Sequence, residues 1–245
     1  MKALTTLALS LLLCASPWAR AGDLSLYTED SPPLNYVENG KLDGASVAVV
    51  KAIQARIGDT TPIAVVPWAR SYKALETEPN IALFSTTRTE QREGLFQWVG
   101  PIGYVSWVFV KKKGSPLHIG RIEDARKVRR IGTYLADARE QWLKGLGFTN
   151  LDSATSDSLN CKKLVMGRVD AWLTGDIDLP AACKVQGIAR DDVEIAYVAR
   201  KQELYIAFSK STPPETVQKW QQGYDAIVKD GTFRAIHKQY GILVF

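Results

Sequence analysis

Apolar residues between positions 45 and 57 recur at helical spacing and stop at Gly58, while the flanking runs 24–27 and 63–66 have the length and alternation of strands. Asp30-Ser31-Pro32-Pro33 breaks the first strand, and Asn39-Gly40 marks a turn. A helix over 69–76 follows. The apolar run Ile81-Ala82-Leu83-Phe84 then reads as a buried strand. This opening part alternates strand and helix as a layered α/β lobe does. Residues 104–111, rich in valine and aromatics, predict a strand leaving that lobe. Alternation then resumes with a strand over 128–133, helices over 137–146 and 156–166, and a strand over 170–174. Residues 193–199 and 204–208 are strand-like. Helices over 213–230, opened by prolines and stopped by Gly231, and over 233–240 complete the pattern. Without a repeat, a low-complexity segment or a long linker, the chain predicts one compact unit.

Within this pattern, Ser85-Thr86-Thr87-Arg88-Thr89-Glu90-Gln91-Arg92 concentrates four hydroxyls and two guanidinium groups directly after an apolar strand. Thr87 with Glu90 three residues later fits a capping box, so a helix is expected to start there. Free N–H groups at a helix start favour an anion, and Arg92 in the first turn adds a bidentate fork. The competing reading is a capped helix with both arginines solvated.

The ends of the chain change the picture of where it works. Met1-Lys2, an uncharged Leu/Ala-rich run to Ala15 and Ala19-Arg20-Ala21 form the pattern of a cleaved signal peptide over residues 1–21. The apolar run is too short to span a bilayer. The 224 residues left suffice for one large domain or two lobes, and the product is expected in the periplasm. Removing Lys2 and Arg20 lowers the formal net charge from +5 to +3. The remaining basic clusters, Lys111-Lys112-Lys113 and residues 126–130, read as solvated faces, so no nucleic-acid partner is expected. Two cysteines remain in an oxidising compartment, Cys161 and Cys183, and predict one disulfide worth about 3 kcal/mol on the chain-entropy model. His118 and His237 are far apart, which argues against a metal site, and no cofactor is expected.

Four phrases along the chain resemble the polar amino-acid-binding family of periplasmic solute-binding proteins of ABC transporters. They are residues 32–44 with Gly40-Lys41-Leu42-Asp43-Gly44, the segment Ser85 to Arg92, Gly167-Arg168-Val169-Asp170, and residues 220–241 with Asp230-Gly231-Thr232. The resemblance implies an α/β, type II periplasmic-binding-protein fold, with two lobes joined by two crossover strands around a central cleft. Residues 22–108 and 205–245 would form lobe 1, and 109–204 lobe 2. It also implies that Arg92 grips a ligand carboxylate, with Ser85 and Thr87 completing the anion site.

Two departures from the family pattern stand out. The aromatic expected in the first turn is replaced by Ser31, and Trp68 is the candidate substitute, as a ligand-stacking ring or as ordinary core. Arg70 beside it is either a second cleft cation or a surface residue. The acid expected five residues after Asp170, opposite a ligand ammonium, is Gly175, with Asp176 one place further on. Asp137 is a counter-charge candidate or a plain N-cap, Glu29 is another acid candidate, and Tyr134 would complete the contacts on closure. The expected function is a monomeric, non-catalytic receptor. It would capture a small carboxylate-bearing ligand, an amino acid or a related compound, by lobe closure and deliver it to a membrane ABC permease. The alternatives are an exported, dehydratase-like enzyme on the same scaffold or a soluble ligand sensor. Against the enzyme stands the absence of G-x-S-x-G and H-E-x-x-H.

Overall fold

In the computed structural model, residues 23–242 are described, so the leader expected over 1–21 lies outside the described residues. The first lobe is built on β1 (Ser25–Thr28), flanked in parallel by β4 (Ile63–Val65) and β5 (Ile81–Thr87). Helices α1 (Ala45–Ile57) and α2 (Trp68–Thr77) make the crossovers. A small hairpin, β2 (Tyr36–Glu38) with β3 (Lys41–Asp43), precedes α1. Gly44 ends that hairpin at φ 122°, and a Cβ there would stand 2.3 Å from the Leu34 carbonyl oxygen, so the tight entry to α1 needs glycine.

Two 17-residue strands, β6 (Phe96–Lys112) and β10 (Val193–Ser209), pair antiparallel along their lengths and run from one lobe to the other. Beyond β6 lie β9 (Ala171–Gly175), β7 (Ile131–Tyr134) and β8 (Leu151–Ala154), which complete an eight-stranded sheet in the order β4-β1-β5-β10-β6-β9-β7-β8. Helices α3 (Ala138–Gly145), α4 (Ser158–Val165) and α5 (Leu179–Val185) cover the second lobe. Helices α6 (Pro214–Lys229) and α7 (Thr232–Gln239) return to pack on the first lobe beside α1. Among the described residues no helix is long and apolar enough to cross a membrane.

The largest core cluster holds Leu26, Ile53, Phe84, Trp107 and Phe208, all nearly inaccessible. A second cluster surrounds the Cys161–Cys183 disulfide, which ties α4 to α5 with Cα atoms 5.5 Å apart. This is the two-lobed type II arrangement with two crossover strands.

One local expectation fails. No helix starts at Thr87: β5 continues to that residue, and 88–95 form turns closed by Arg92 N–H to the Thr89 carbonyl (3.0 Å) and Leu95 N–H to the Arg92 carbonyl (3.0 Å). Register with β10, Thr86 opposite Tyr205 and Thr87 opposite Leu204, commits the threonines to a ladder and overrides their capping signal. The helix-dipole contribution to an anion site therefore disappears.

Candidate functional site

Where the lobes meet lies a cavity of about 300 Å³. The first lobe contributes Glu29 just after β1, the turn at Ser31 and Pro32, Trp68 at the start of α2, and Ser85 and Thr87 on β5. The second lobe contributes Tyr134 at the end of β7, Asp137 and Arg139 at the start of α3, Asp157 before α4 and Asp178 before α5. Val105, Trp107 and Leu204 of the crossover strands form the floor.

The lobes bond directly across this cavity. Tyr134 Oη donates to Glu29 Oε2 at 2.9 Å, Ser31 Oγ to Asp178 Oδ1 at 3.2 Å, and Trp68 Nε1 to the Ala136 carbonyl at 3.1 Å. Residue 136 sits at φ 60°, and Glu140 of α3 accepts from its N–H at 3.0 Å, which holds the turn with its carbonyl toward the first lobe.

Arg139 is the guanidinium on the cavity wall. Its Nε donates to Asp137 Oδ1 at 2.6 Å, its Nη1 to Asp157 Oδ2 at 3.3 Å and to Thr174 Oγ1 at 3.4 Å, and Asp178 Oδ2 stands 3.8 Å away. Asp137 also caps α3 by accepting from the Arg139 N–H at 2.9 Å. Burial by itself would loosen the Arg139 proton, but the surrounding carboxylates outweigh it and the guanidinium is held more firmly charged. Burial would likewise raise the Asp137 carboxyl, and Arg139 more than offsets that, leaving it below the usual aspartate range.

The two acids less engaged with Arg139 move the other way. Burial pushes Asp178 up to about 6, with Arg139 opposing and Asp157 adding to the rise. Burial pushes Glu29 up to about 8; the Tyr134 hydrogen bond works against the shift, and Asp137 and Asp178 reinforce it. With Asp30 also on the lining, five carboxyl groups and one guanidinium surround the cavity.

Gly175, where an acid was expected, explains the position of Asp178. A Cβ on Gly175 would lie 2.2 Å from Asp178 Oδ2 and 2.8 Å from a Val105 methyl. The space beside the end of β9 is thus filled by a carboxylate reaching back from three residues further along the chain. Asp176 serves elsewhere: its Oδ1 accepts from the N–H groups of Ser106 and Ile177, both at 2.9 Å, pinning the end of β9 to a crossover strand away from the cavity lining.

Arg92 stands in the wall between the lobes rather than on the cavity lining and is 1% exposed. Its Nε donates to Gln141 Oε1 at 2.9 Å, and its Nη atoms to the carbonyls of Thr87 (3.4 Å) and Ala136 (3.3 Å). The rings of Tyr72 and Trp68 cover it at 4.5 and 5.4 Å. No carboxylate among the described residues reaches ion-pairing distance, and burial lowers its hold on its proton. Arg70 points to solvent from α2 and is absent from the lining. Arg92, expected in the cleft, thus stands in an interlobe contact beside it, and Arg70 takes the surface position of its two readings.

Arg139, Asp157 and Asp178 escaped the sequence reading. Arg139 follows an N-cap aspartate in what looks like an exposed helix start, and the helix carrying Asp178 was not anticipated. The available signal was the spacing of three aspartates around strand ends facing one cleft, at 137, 157 and 178, which becomes meaningful once β7, β8 and β9 are neighbours.

Comparison with known proteins agrees with this architecture. A histidine kinase sensor domain with similarity to periplasmic binding proteins superposes with a TM-score of 0.82 at 18% identity, covering 91% of this chain and 98% of that one. An ancestral arginine-binding protein bound to arginine gives a TM-score of 0.76 at 25% identity, covering 89% and 98%. A probable amino-acid-binding protein, YxeM of Bacillus subtilis (strain 168), is 23% identical over 222 residues, 87% of this chain and 81% of the relative. The family model for bacterial extracellular solute-binding proteins, family 3, matches residues 24–242. With its two lobes, long crossover strands and enclosed interlobe cavity, the chain belongs to the bacterial extracellular solute-binding proteins, family 3.

Proposed function

We propose that this protein is an extracytoplasmic receptor that encloses a small amine-bearing solute between its lobes and presents the closed form to an ABC permease. The observation that carries the reading is the position of Asp178, whose carboxylate fills the space beside Gly175 at the end of β9 and faces a cavity walled by both lobes. An ammonium group there meets a buried acid, and the Ser31, Tyr134 and Trp68 bridges close only when the lobes approach. Solute binding and lobe closure are thereby coupled, since a ligand that touches both lobes favours the closed form. The long strands β6 and β10 are the hinge in this reading, consistent with a lobe boundary near residues 108 and 204. The arginine-binding and amino-acid-binding relatives support a small nitrogenous ligand. The carboxylate contact first expected at Arg92 has support only from Ser85 and Thr87 on the wall.

A second reading, an enzyme on the same scaffold, draws on Glu29, which lines the cavity, accepts from Tyr134 Oη at 2.9 Å and is pushed by burial up to about 8, as suits a general acid. One experiment separates the two. The purified mature protein is screened by thermal shift against amino acids, amines, dicarboxylates and aromatic acids, and each stabilising compound is recovered and analysed by mass spectrometry. A receptor returns its solute intact and, at 100 times the dissociation constant, gains about 2.7 kcal/mol. Chemical conversion of the solute would instead establish the enzyme.

A further inference from the structure

The turn that follows β7 carries several of the direct bonds between the lobes. Tyr134 Oη donates to Glu29 Oε2 at 2.9 Å, and two residues further on the Ala136 carbonyl takes donors from both sides of the boundary. From the first lobe, Trp68 Nε1 reaches it at 3.1 Å and Arg92 Nη2 at 3.3 Å. From the second, Gln141 Nε2 on α3 reaches it at 3.3 Å. Gln141 turns its other amide atom, Oε1, to Arg92 Nε at 2.9 Å. Arg92 therefore crosses the boundary with two of its nitrogens.

The acceptor is held in place for this contact. Ala136 sits at φ 60°, a backbone conformation that residues other than glycine seldom take, and Glu140 secures it by accepting the Ala136 N–H at 3.0 Å. Arg92 lies off the cavity lining, under the rings of Tyr72 and Trp68 at 4.5 and 5.4 Å. Within its own lobe it keeps only the 3.4 Å contact with the Thr87 carbonyl, so parting of the lobes breaks its bonds to Gln141 and Ala136 together. Parting also returns the guanidinium to water, which relieves the cost of burying its charge. Hydrogen bonds favour closure and desolvation opposes it, a balance suited to a reversible contact.

We infer that Arg92, Trp68 and the Ala136 carbonyl form a latch between the lobes, in which Arg92 is a positioning residue that sets the balance of open and closed forms without touching the solute. Trp68 links the latch to the cavity, because it both donates to Ala136 and lines the cavity wall. A change at Arg92 then acts through closure on every solute alike and leaves the ranking of solutes to the lining residues. Such a latch serves a receptor and an enzyme equally, so it stands apart from the choice between them.

Pulsed electron paramagnetic resonance on the intact mature protein tests the latch and needs no solute. Spin labels are placed at two exposed sites, Lys73→Cys on α2 and Lys127→Cys in the second lobe, and the distance between them is measured. The labelled parent should show a main population at the separation of the present structure. Arg92→Lys keeps the charge but cannot reach Gln141, Ala136 and Thr87 together. It should raise the ratio of longer to shorter distances about tenfold while circular dichroism reports a folded protein. Trp68→Phe keeps an aromatic ring, drops one donor and should raise the ratio about fivefold; it decides the outcome if Arg92→Lys does not fold. A merely structural role would lower the melting temperature and leave the distances unchanged. Distances in either folded variant that match the parent's, or a parent already dominated by the longer distance, overturn the latch and leave the receptor reading to the thermal-shift screen.

Discussion

The two buried arginines of the cleft region make an instructive pair. Arg139 is surrounded by Asp137, Asp157 and Asp178, and its charge is reinforced. Arg92, about 50 residues earlier, is just as enclosed yet is held by an amide oxygen, two carbonyls and two rings, and its charge is weakened by burial. The first is an ion-pair hub inside one lobe. The second is a strut between lobes. Identical side chains take opposite electrostatic roles because burial always costs the charged form, and only the partners decide whether that cost is offset.

The largest expected effect comes from removing the hub. Arg139→Met leaves three carboxylates facing one another in a buried wall and should cost about 3–5 kcal/mol in urea denaturation at pH 7. Loss of the disulfide through Cys161→Ala with Cys183→Ala follows at about 3 kcal/mol, from a loop closed over a separation of 22 residues. That bridge also sets α4 against α5, and therefore Asp157 against Asp178, so ligand affinity should fall with it. Arg92→Met forfeits neutral acceptors only and should cost about 2 kcal/mol. A loss at Arg92 equal to that at Arg139 would dissolve the contrast between hub and strut.

Smaller effects sharpen the acid side. Gly175→Ala pushes a methyl into the Asp178 carboxylate and should cost about 1–2 kcal/mol, with weakened amine binding. Joining Gly175→Asp to Asp178→Ala moves the acid back to the end of β9 and should restore part of that binding, as measured by calorimetry. The finest effect is a slope. Folded Glu29, faced by Tyr134, Asp137, Asp178 and Arg139, titrates at about 8 against an ordinary 4.5, so the folded chain keeps a proton that the unfolded chain releases. Its contribution is fully present below pH 4.5 and is lost as pH rises toward 8. Ligand-free melting temperatures should decline over that window more steeply in the parent than in Glu29→Gln.

Some of this was legible along the chain. Apolar spacing with Gly58 as a stop outlines α1 over Ala45–Ile57, because a helix three turns long repeats its signal often enough to be seen. β8 and α5 were not anticipated: Leu151–Ala154 is short and carries a half-exposed pattern, and α5 starts beside Asp176 and Asp178 with a proline in its first turn. Residues 193–209 read as two strands and form one, since pairing with β6 carries the backbone through the charged stretch at Arg200 and Lys201. Glu29, Ser85, Thr87, Trp68, Tyr134 and Asp137 all reach the cavity lining, whereas Arg92, Arg70 and Asp176 do not.

By itself, the order of residues determined the alternation of strands and helices, the family resemblance and the pairing of Cys161 with Cys183. These depend on local periodicity, short motifs and counting. Tertiary structure alone decided that β5 outcompetes a helix start at Thr87, that Arg92 bridges lobes while Arg139 meets the acids, and that Asp178 fills the space beside Gly175. Each of those outcomes rests on electrostatics and packing between segments far apart in sequence, where the energy follows distance through space rather than distance along the chain.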